Sequence, residues 1–359
     1  MIDHSSLERP LVTVLLPCYN AQGFLRSTLE SVLGQTYANL EVLAIDDGSQ
    51  DGTAQILAEY AARDRRVRLA PNEGNHGLIY TLNRGVWLAR GSLIARMDAD
   101  DIALPHRIEQ QVRYFSRRPD TEVLSSDCSY VGMNGQLLFH SVPYRFSSRA
   151  LRFLLFFVNP LCHPTVMGRR EIFLEHPYSE HAVHTEDFEL WHRMVEQGVT
   201  IRNLPERLLW FRANSGSVSH RHEQDQVALF LRTSATAIER YFGLRLEPDV
   251  HRVLTNRMLH GMVRGADLKS ALRLFRHMKR EYVDREKLNR GDAALIEDFA
   301  NRHLFNILLH GYRRSSGEDP GRGLAAREMV LMTMRNPRPA CVLAVERTRQ
   351  RMSRDAGCR

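Results

Sequence analysis

Short apolar runs alternate with longer stretches of helical period through the first hundred residues. Residues 11–16, 40–45, 67–69 and 93–97 are β-rich and apolar and predict strands, whereas 21–35, 53–62 and 78–89 space their apolar side chains as helices do. In the first of these helices Phe24, Leu25, Thr28, Leu29 and Val32 fall on one side. Pro17, Asp46-Asp47-Gly48 and Gly91 punctuate the pattern. The order predicts βαβ units, hence an α/β chain with a doubly wound, mostly parallel sheet. Ligands of such sheets bind beyond the carboxyl ends of the strands. Polar clusters stand at those ends here: Tyr19 and Asn20, Asp46 and Asp47, and Asp98 to Asp101.

Beyond Pro105 the pattern changes. Residues 107–115 predict a helix, 122–139 strands about an Asn134-Gly135 turn, and 165–168 another strand. Residues 186–197 predict a helix carrying Phe188, Leu190, Trp191 and Met194 and stopped by Gly198. A closing strand at 208–212 precedes a polar loop at 214–220. From Gln226 onward helix signals dominate, with Leu268, Leu272, Phe275 and Tyr282 on one stripe. The expected organisation is an α/β domain over 1–225 and an α-helical C-terminal region over 226–359 ending in a basic tail.

The chain has 359 residues, 43% of them hydrophobic and 25% charged, which suits a globular protein of two domains. Its most apolar stretch, 153–158, is bounded by Arg152 and Asn159 and is far shorter than the roughly 18 residues needed to span a bilayer. Asp3, Glu8 and Arg9 break any leader-like pattern at the start. The five cysteines, 18, 128, 162, 341 and 358, form no CxxC pair and read as reduced thiols, so a cytoplasmic protein is expected. Net charge is +7, and residues 321–359 hold nine arginines against three acids, a net +6. A near-neutral body with a basic end is unlike a nucleic-acid reader. It suits an anionic membrane surface or another protein, and peripheral attachment to the inner face of the cytoplasmic membrane is the corresponding expectation.

Three clusters could carry chemistry. If the chain stays extended after residue 97, Asp98 and Asp100 share a face, and such hard oxygen ligands suit Mg²⁺ or Mn²⁺ together with a diphosphate. Helix capping or a solvated loop would use the same acids. Asp46, Asp47, Ser49 and Asp51 can accept hydrogen bonds from a base or a ribose, although Asp, Gly and Ser also make ordinary βα turns. Glu186 and Asp187 open a helix whose N-terminus favours ionised carboxylates, either as a cap or as a base for a substrate hydroxyl. The histidines show no metal-ligand spacing; His163 before Pro164 and His220 in the polar loop stay as site candidates.

The combination is more specific than its parts. Pro17-Cys18-Tyr19-Asn20, then Asp46-Asp47-Gly48-Ser49 with Asp51-Gly52-Thr53, Asn72 with Gly77, Asn83, Gly85, Ala89 and Gly91, and Arg96-Met97-Asp98-Ala99-Asp100-Asp101 resemble, in that order, glycosyltransferase family 2. His163-Pro164-Thr165 and Glu186-Asp187 with Trp191 continue the resemblance, which spans about residues 10–220. It implies the A-type nucleotide-sugar transferase (GT-A) fold and inverting transfer of one sugar from a nucleotide diphosphate sugar, a UDP-sugar by expectation, to a glycan or lipid-linked acceptor in cell-surface polysaccharide or glycolipid synthesis. Carried over, Tyr19 and Asp47 would hold the base, Asp98 the ribose or sugar, Asp100 the Mn²⁺ or Mg²⁺ ion, and Asp187 would be the general base. Pro17, Asn20, Asp46, Glu186 and His163 complete the expected substrate-binding set, with His220 a second candidate metal ligand and Asp101 structural or functional. No QxxRW string of a processive synthase is present. A sugar-phosphate nucleotidyltransferase is the alternative enzyme, but 17–23 offers one glycine and no Lys or Arg for a phosphate loop. A noncatalytic membrane-tethered binding protein is the alternative of another class.

Overall fold

The computed structural model describes residues 9–141, 145–213, 223–257, 263–314 and 320–335. Strands β1 (Val12–Cys18), β2 (Leu40–Asp46), β3 (Val67–Leu69) and β4 (Leu93–Arg96) are parallel and lie in the order β3-β2-β1-β4. They alternate with helices α1 (Leu25–Leu33), α2 (Thr53–Arg63) and α3 (Leu78–Leu88). Every residue of β1 is buried, as expected of a strand covered on both faces. The strand passes through Pro17 instead of stopping there. Its ladder to β4 ends at Leu15 opposite Arg96, so the missing N–H interrupts no pairing on that side, and Pro17 pairs with Ile45 of β2. Helix α3 lies so close to β1 that a Cβ at Gly85 would meet Leu15 Cδ1 at 2.2 Å, which is why the helix carries glycine there.

The sheet then becomes mixed. It continues from β4 through β8 (Met167–Arg169), β6 (Val123–Val131) and β9 (Ile201–Arg212) to β5 (Ile102–Ala103), with β7 (Leu137–His140) on β6. Strand β8 runs antiparallel to β4 and β6, and β5 antiparallel to β9, while β6 and β9 are parallel. The expectation of a mostly parallel sheet describes the N-terminal half; in the other, short antiparallel strands β5, β7 and β8 pair with their neighbours beside the parallel pair β6 and β9. Helices α4 (Arg107–Arg117), α5 (Ser148–Leu155), α6 (Arg170–Glu175) and α7 (Glu186–Glu196) follow in the chain, then α8 (Glu223–Phe242), α9 (Pro248–Leu254), α10 (Gly265–Glu286), α11 (Arg290–Arg314) and α12 (Pro320–Arg335).

Two compact units result, one of residues 1–145 with 161–214, the other of 146–160 with 215–359. The sequence reading kept 146–160 inside the first domain; in the structure α5 belongs with the C-terminal helices. The reason is aromatic packing and one capping acid. Phe153 packs at 5.1 Å from Tyr282 and Phe157 at 4.8 Å from Phe275, measured between ring centres, with the rings tilted to one another. Ser147, the N-cap of α5, donates its hydroxyl to Asp292 Oδ2 at 2.7 Å, and Tyr282 donates to Arg149 O at 2.6 Å. The most apolar run of the chain is therefore the heart of the second unit.

Two histidines are built into that second core. His303 Nε2 donates to Leu254 O at 2.7 Å among Phe157, Phe275 and Phe299, and His251 Nε2 lies 3.0 Å from Ser234 Oγ. Burial pushes both rings down to about 4, with Arg252 adding to the effect at His251. Both are neutral in the fold, whereas an unfolded chain takes up a proton near pH 6.5. Stability is thus fully present above that pH and falls on acidification until about pH 4, by roughly 1.4 kcal/mol per unit for each ring. Urea unfolding of the full chain at pH 7 and pH 5.5 should show this loss, and the His251→Gln/His303→Gln double variant should lose less between the two. Equal pH dependence of both proteins would show that neither ring carries it.

Candidate active site

The strand order reverses at β1, with β2 on one side and β4 on the other, which opens a crevice beyond their carboxyl ends. The Cys18 thiol marks its floor: burial raises its pKa, and Asp46 and Asp98 raise it further. The antiparallel return of β8 brings the residues before Met167, among them His163 and Thr165, to the carboxyl end of β4. The end of β9 arrives there too, since Ile102 pairs with Trp210.

After β4 the chain does not stay extended. It turns, with Asp101 N donating to Asp98 O at 3.4 Å, and the turn, not strand alternation, gathers the acids. One carboxylate oxygen each from Asp98, Asp100 and Asp101 lie within 4.8 Å of one another. Thr28 Oγ1 of α1 approaches Ala99 O and Asp101 O at 3.0 and 2.9 Å. From β9, Arg212 donates Nε to Asp100 O and its backbone N–H to Asp101 Oδ1, both at 2.8 Å. Asp101 is only 1% exposed, and its Oδ2 has no hydrogen-bond partner among the described residues. Burial and the neighbouring Asp98 push Asp100 up to about 6, and burial with Asp98 and Asp100 raises Asp101 well above the carboxylate range. Such a site gains from a divalent cation: hard oxygen donors are crowded together and one buried lone-pair donor is unspent.

Two buried arginines offset this charge. Arg96 grips Asp98 with both terminal nitrogens at 2.5 Å, and its backbone oxygen accepts from Arg107 at 2.7 Å. Burial lowers Arg107 to about 10, still cationic at neutral pH. The Arg96 charge also helps burial to hold His163 well below its usual range, so that ring is neutral. His163 Nε2 lies 2.9 Å from the Tyr178 hydroxyl, and Asn83 clamps Tyr178 through both backbone N–H and C=O at 2.9 Å.

Glu186 and Asp187 occupy the first turn of α7. Asp187 Oδ1 accepts from the Phe188 N–H at 2.7 Å, while Glu186 is buried and pushed up to about 7 by burial and then by Asp187. Charges of Arg96 and Asp98 reach Glu186, and those of Arg96, Asp187, Glu186 and Asp98 reach Tyr178. Asp98, Asp100, His163, Glu186 and Asp187, named from sequence, thus share one electrostatic neighbourhood.

The β2 acids do different work. Asp46 Oδ1 accepts from the backbone and hydroxyl of Ser49. Asp47 is 5% exposed and accepts three internal bonds, from Asn72 Nδ2 at 2.6 Å, His76 N at 2.9 Å and Gly77 N at 2.8 Å. It holds the 72–77 loop over the strand end. Asn20, in the left-handed region at φ 49°, donates its N–H to Ser49 Oγ and accepts from Gln50 N, tying the β1 and β2 loops together. Pro17 is buried in β1, whereas Tyr19 is 49% exposed beside it, free to meet a planar ligand. His220 lies outside the described residues. Sequence reasoning assigned no role to Arg96, Arg107, Tyr178 or Arg212; only Arg96 left a signal, two residues before Asp98 at the end of a strand.

A crevice at the switch point of an α/β sheet, lined by acids at two strand ends and at one helix start, is the place where such sheets bind their ligands. Residues 13–176 match the Glycosyl transferase family 2 profile. An uncharacterized glycosyltransferase of Haemophilus influenzae is 31% identical over 234 residues, which is 61% of this chain and 71% of that protein. The O-antigen biosynthesis glycosyltransferase WbnJ of Escherichia coli is 29% identical over 58% of this chain and 81% of its own length. The crystal structure of S. aureus TarS 1-349 in complex with UDP-GlcNAc superposes with a TM-score of 0.52 at 16% identity, covering 96% of this chain and 92% of that one, which shows a shared GT-A fold. The chain belongs to glycosyltransferase family 2 and is a glycosyltransferase, which sets aside both the nucleotidyltransferase and the noncatalytic alternatives.

Because Asp47 satisfies two backbone N–H groups and a side-chain amide, its removal has a structural signature. Asp47→Ala should lower unfolding stability by about 2 to 4 kcal/mol, the range for stripping a charged acceptor from buried donors. A urea midpoint equal to that of the parent would show that the 72–77 loop stands without it.

Proposed function

We propose that this glycosyltransferase transfers one sugar, with inversion, from a UDP-sugar to a hydroxyl of a glycan or lipid-linked acceptor in cell-surface polysaccharide or glycolipid synthesis. The observation that carries the reading is the convergence of Asp98, Asp100 and Asp101 at the end of β4 with an unspent buried oxygen on Asp101. The crystal structures of TarS in complex with UDP and with UDP-GlcNAc support the donor class, and the O-antigen relative supports the acceptor class.

Asp100 and Asp101 would hold Mn²⁺ or Mg²⁺, with Asp98 beside them. When bound, such an ion supplies positive charge for a departing diphosphate. Arg96 keeps Asp98 fixed through two contacts, so that Asp98 can orient a ribose or sugar hydroxyl. Tyr19 and the Asp46–Asp47 loop would receive the base. Asp187 would take the acceptor proton on the face opposite the leaving group, with Glu186 as its neighbour in the acceptor half, and His163 would keep Tyr178 in place as a neutral partner. His220 is retained as a further candidate metal ligand. The α/β region over 1–225 would carry the reaction and 226–359 the attachment, in the cytoplasm at an anionic membrane surface.

The test is release of nucleoside diphosphate from a panel of UDP-, GDP- and dTDP-sugars, with and without Mn²⁺ or Mg²⁺. Release from UDP-sugars that needs the cation is expected; metal-independent release, or a preference for another nucleotide, would overturn that part of the reading. Asp100→Ala should abolish turnover with an unchanged circular dichroism spectrum, the loss of a ligand beside a diphosphate costing several kcal/mol. Normal turnover would remove Asp100 from the site. Asp187→Asn should still bind UDP by calorimetry while transfer to water falls by about 10²-fold or more. Collapse of UDP affinity in that variant would place the base elsewhere.

A further inference from the structure

Helix α12 turns an unusual face to solvent. Its exposed positions are 320, 323, 327, 330, 331 and 334, a single stripe at helical spacing. A solvent-facing stripe is normally polar or charged. Here it holds Arg327, then Val330 at 57%, Leu331 at 36% and Met334 at 79% exposure. Beside it a groove of about 590 Å³, lined by Tyr312, Ala326, Met329, Val330, Thr333 and Met334, extends the apolar surface between α11 and α12.

Helix α12 itself carries three arginines against one acid. Glu328 is the only acid of α12, and Arg276 neutralises it at 2.5 Å. Arg322 lies 4.8 Å over the Tyr312 ring, Arg327 faces outward, and the helix ends on Arg335. In sequence, Glu318 and Asp319 precede the helix, and residues 336–359, which follow it, hold six arginines against Glu346 and Asp355. An apolar stripe flanked by arginines is the composition of a helix that lies in a membrane interface. Among the described residues no helix is long and apolar enough to cross a membrane, so the contact would be superficial.

We propose that the outer stripe of α12 docks the protein on an anionic lipid bilayer, with Val330, Leu331 and Met334 entering the interface and the surrounding arginines meeting the headgroups. The inference rests on the reading of this chain as an enzyme of cell-surface glycan or glycolipid synthesis, whose acceptor would be presented at such a surface. Arginine attraction fades within a Debye length and weakens with salt, while the apolar contact does not, so the two contributions are separable.

The experiment is co-sedimentation of the full chain with phosphatidylcholine vesicles with and without phosphatidylglycerol. Binding only to the anionic vesicles, weakening as salt rises, is expected. Val330→Asp/Met334→Asp, two exposed changes away from the proposed site, should cut the apparent affinity about tenfold or more while circular dichroism and nucleoside diphosphate release stay unchanged. No binding of the parent chain at low salt would overturn the proposal. So would equal binding by the double variant, or a lipid-free parent that runs as a dimer where the variant is monomeric, which would make the stripe a self-association surface. Vesicle binding is read without turnover, so failure of the donor panel would sink the proposed reaction and leave this result to be judged by itself.

Discussion

Three carboxylates held within 4.8 Å of one another at the end of β4 are the constraint to which the rest of the α/β unit is fitted. Like charges at that spacing repel strongly in a partly buried site, and both Asp100 and Asp101 show it in raised pKa values. Arg96 answers with a bidentate grip on Asp98, Arg107 is buried behind it at the cost of its own solvation, and Arg212 and Thr28 fix the turn through backbone groups. Dry burial would protonate such acids, and a resident cation would keep them ionised. The arrangement stores an affinity for positive charge.

The mixed half of the sheet follows from the same need. A purely parallel sheet would deliver only βα loops to the crevice. Antiparallel β8 instead carries the His163–Thr165 turn back to the end of β4, and Gln111 seals it by donating to Thr165 O at 2.7 Å. Strand β9, parallel to β6 and antiparallel to β5, ends with Arg212 on the acidic turn.

The second unit obeys a different rule. Its core is a cluster of rings from α5, α10 and α11, and its polar groups are satisfied in pairs: Ser147 with Asp292, Ser234 with His251, His303 with Leu254. Its two buried histidines are neutral, whereas the α/β unit is organised around crowded carboxylates and buried arginines. In α12 the rule is inverted, since apolar side chains face outward beside arginines.

Local pattern alone determined the βαβ half, because fully buried strands leave short continuous apolar runs and one-faced helices a 3.6-residue period, and both survive without tertiary knowledge. Strand β3 and the start of α7 fall where the pattern puts them. The motif order likewise pointed to the family, and the acids at strand ends to the crevice, since topology sends every parallel strand's carboxyl end to one edge. Tertiary structure alone decided the rest. Residues 153–158 read as a generic apolar run, and only their rings against Phe275 and Tyr282 assign them to the second unit. Asp47 and Asp98 look alike in sequence, yet one is consumed by loop N–H groups and the other by Arg96. Arg107, Tyr178 and Arg212 bear on the site from 10, 80 and 112 positions away from Met97, Asp98 and Asp100. Local pattern records which face of an element is buried; it carries no record of which distant charge will be buried against it.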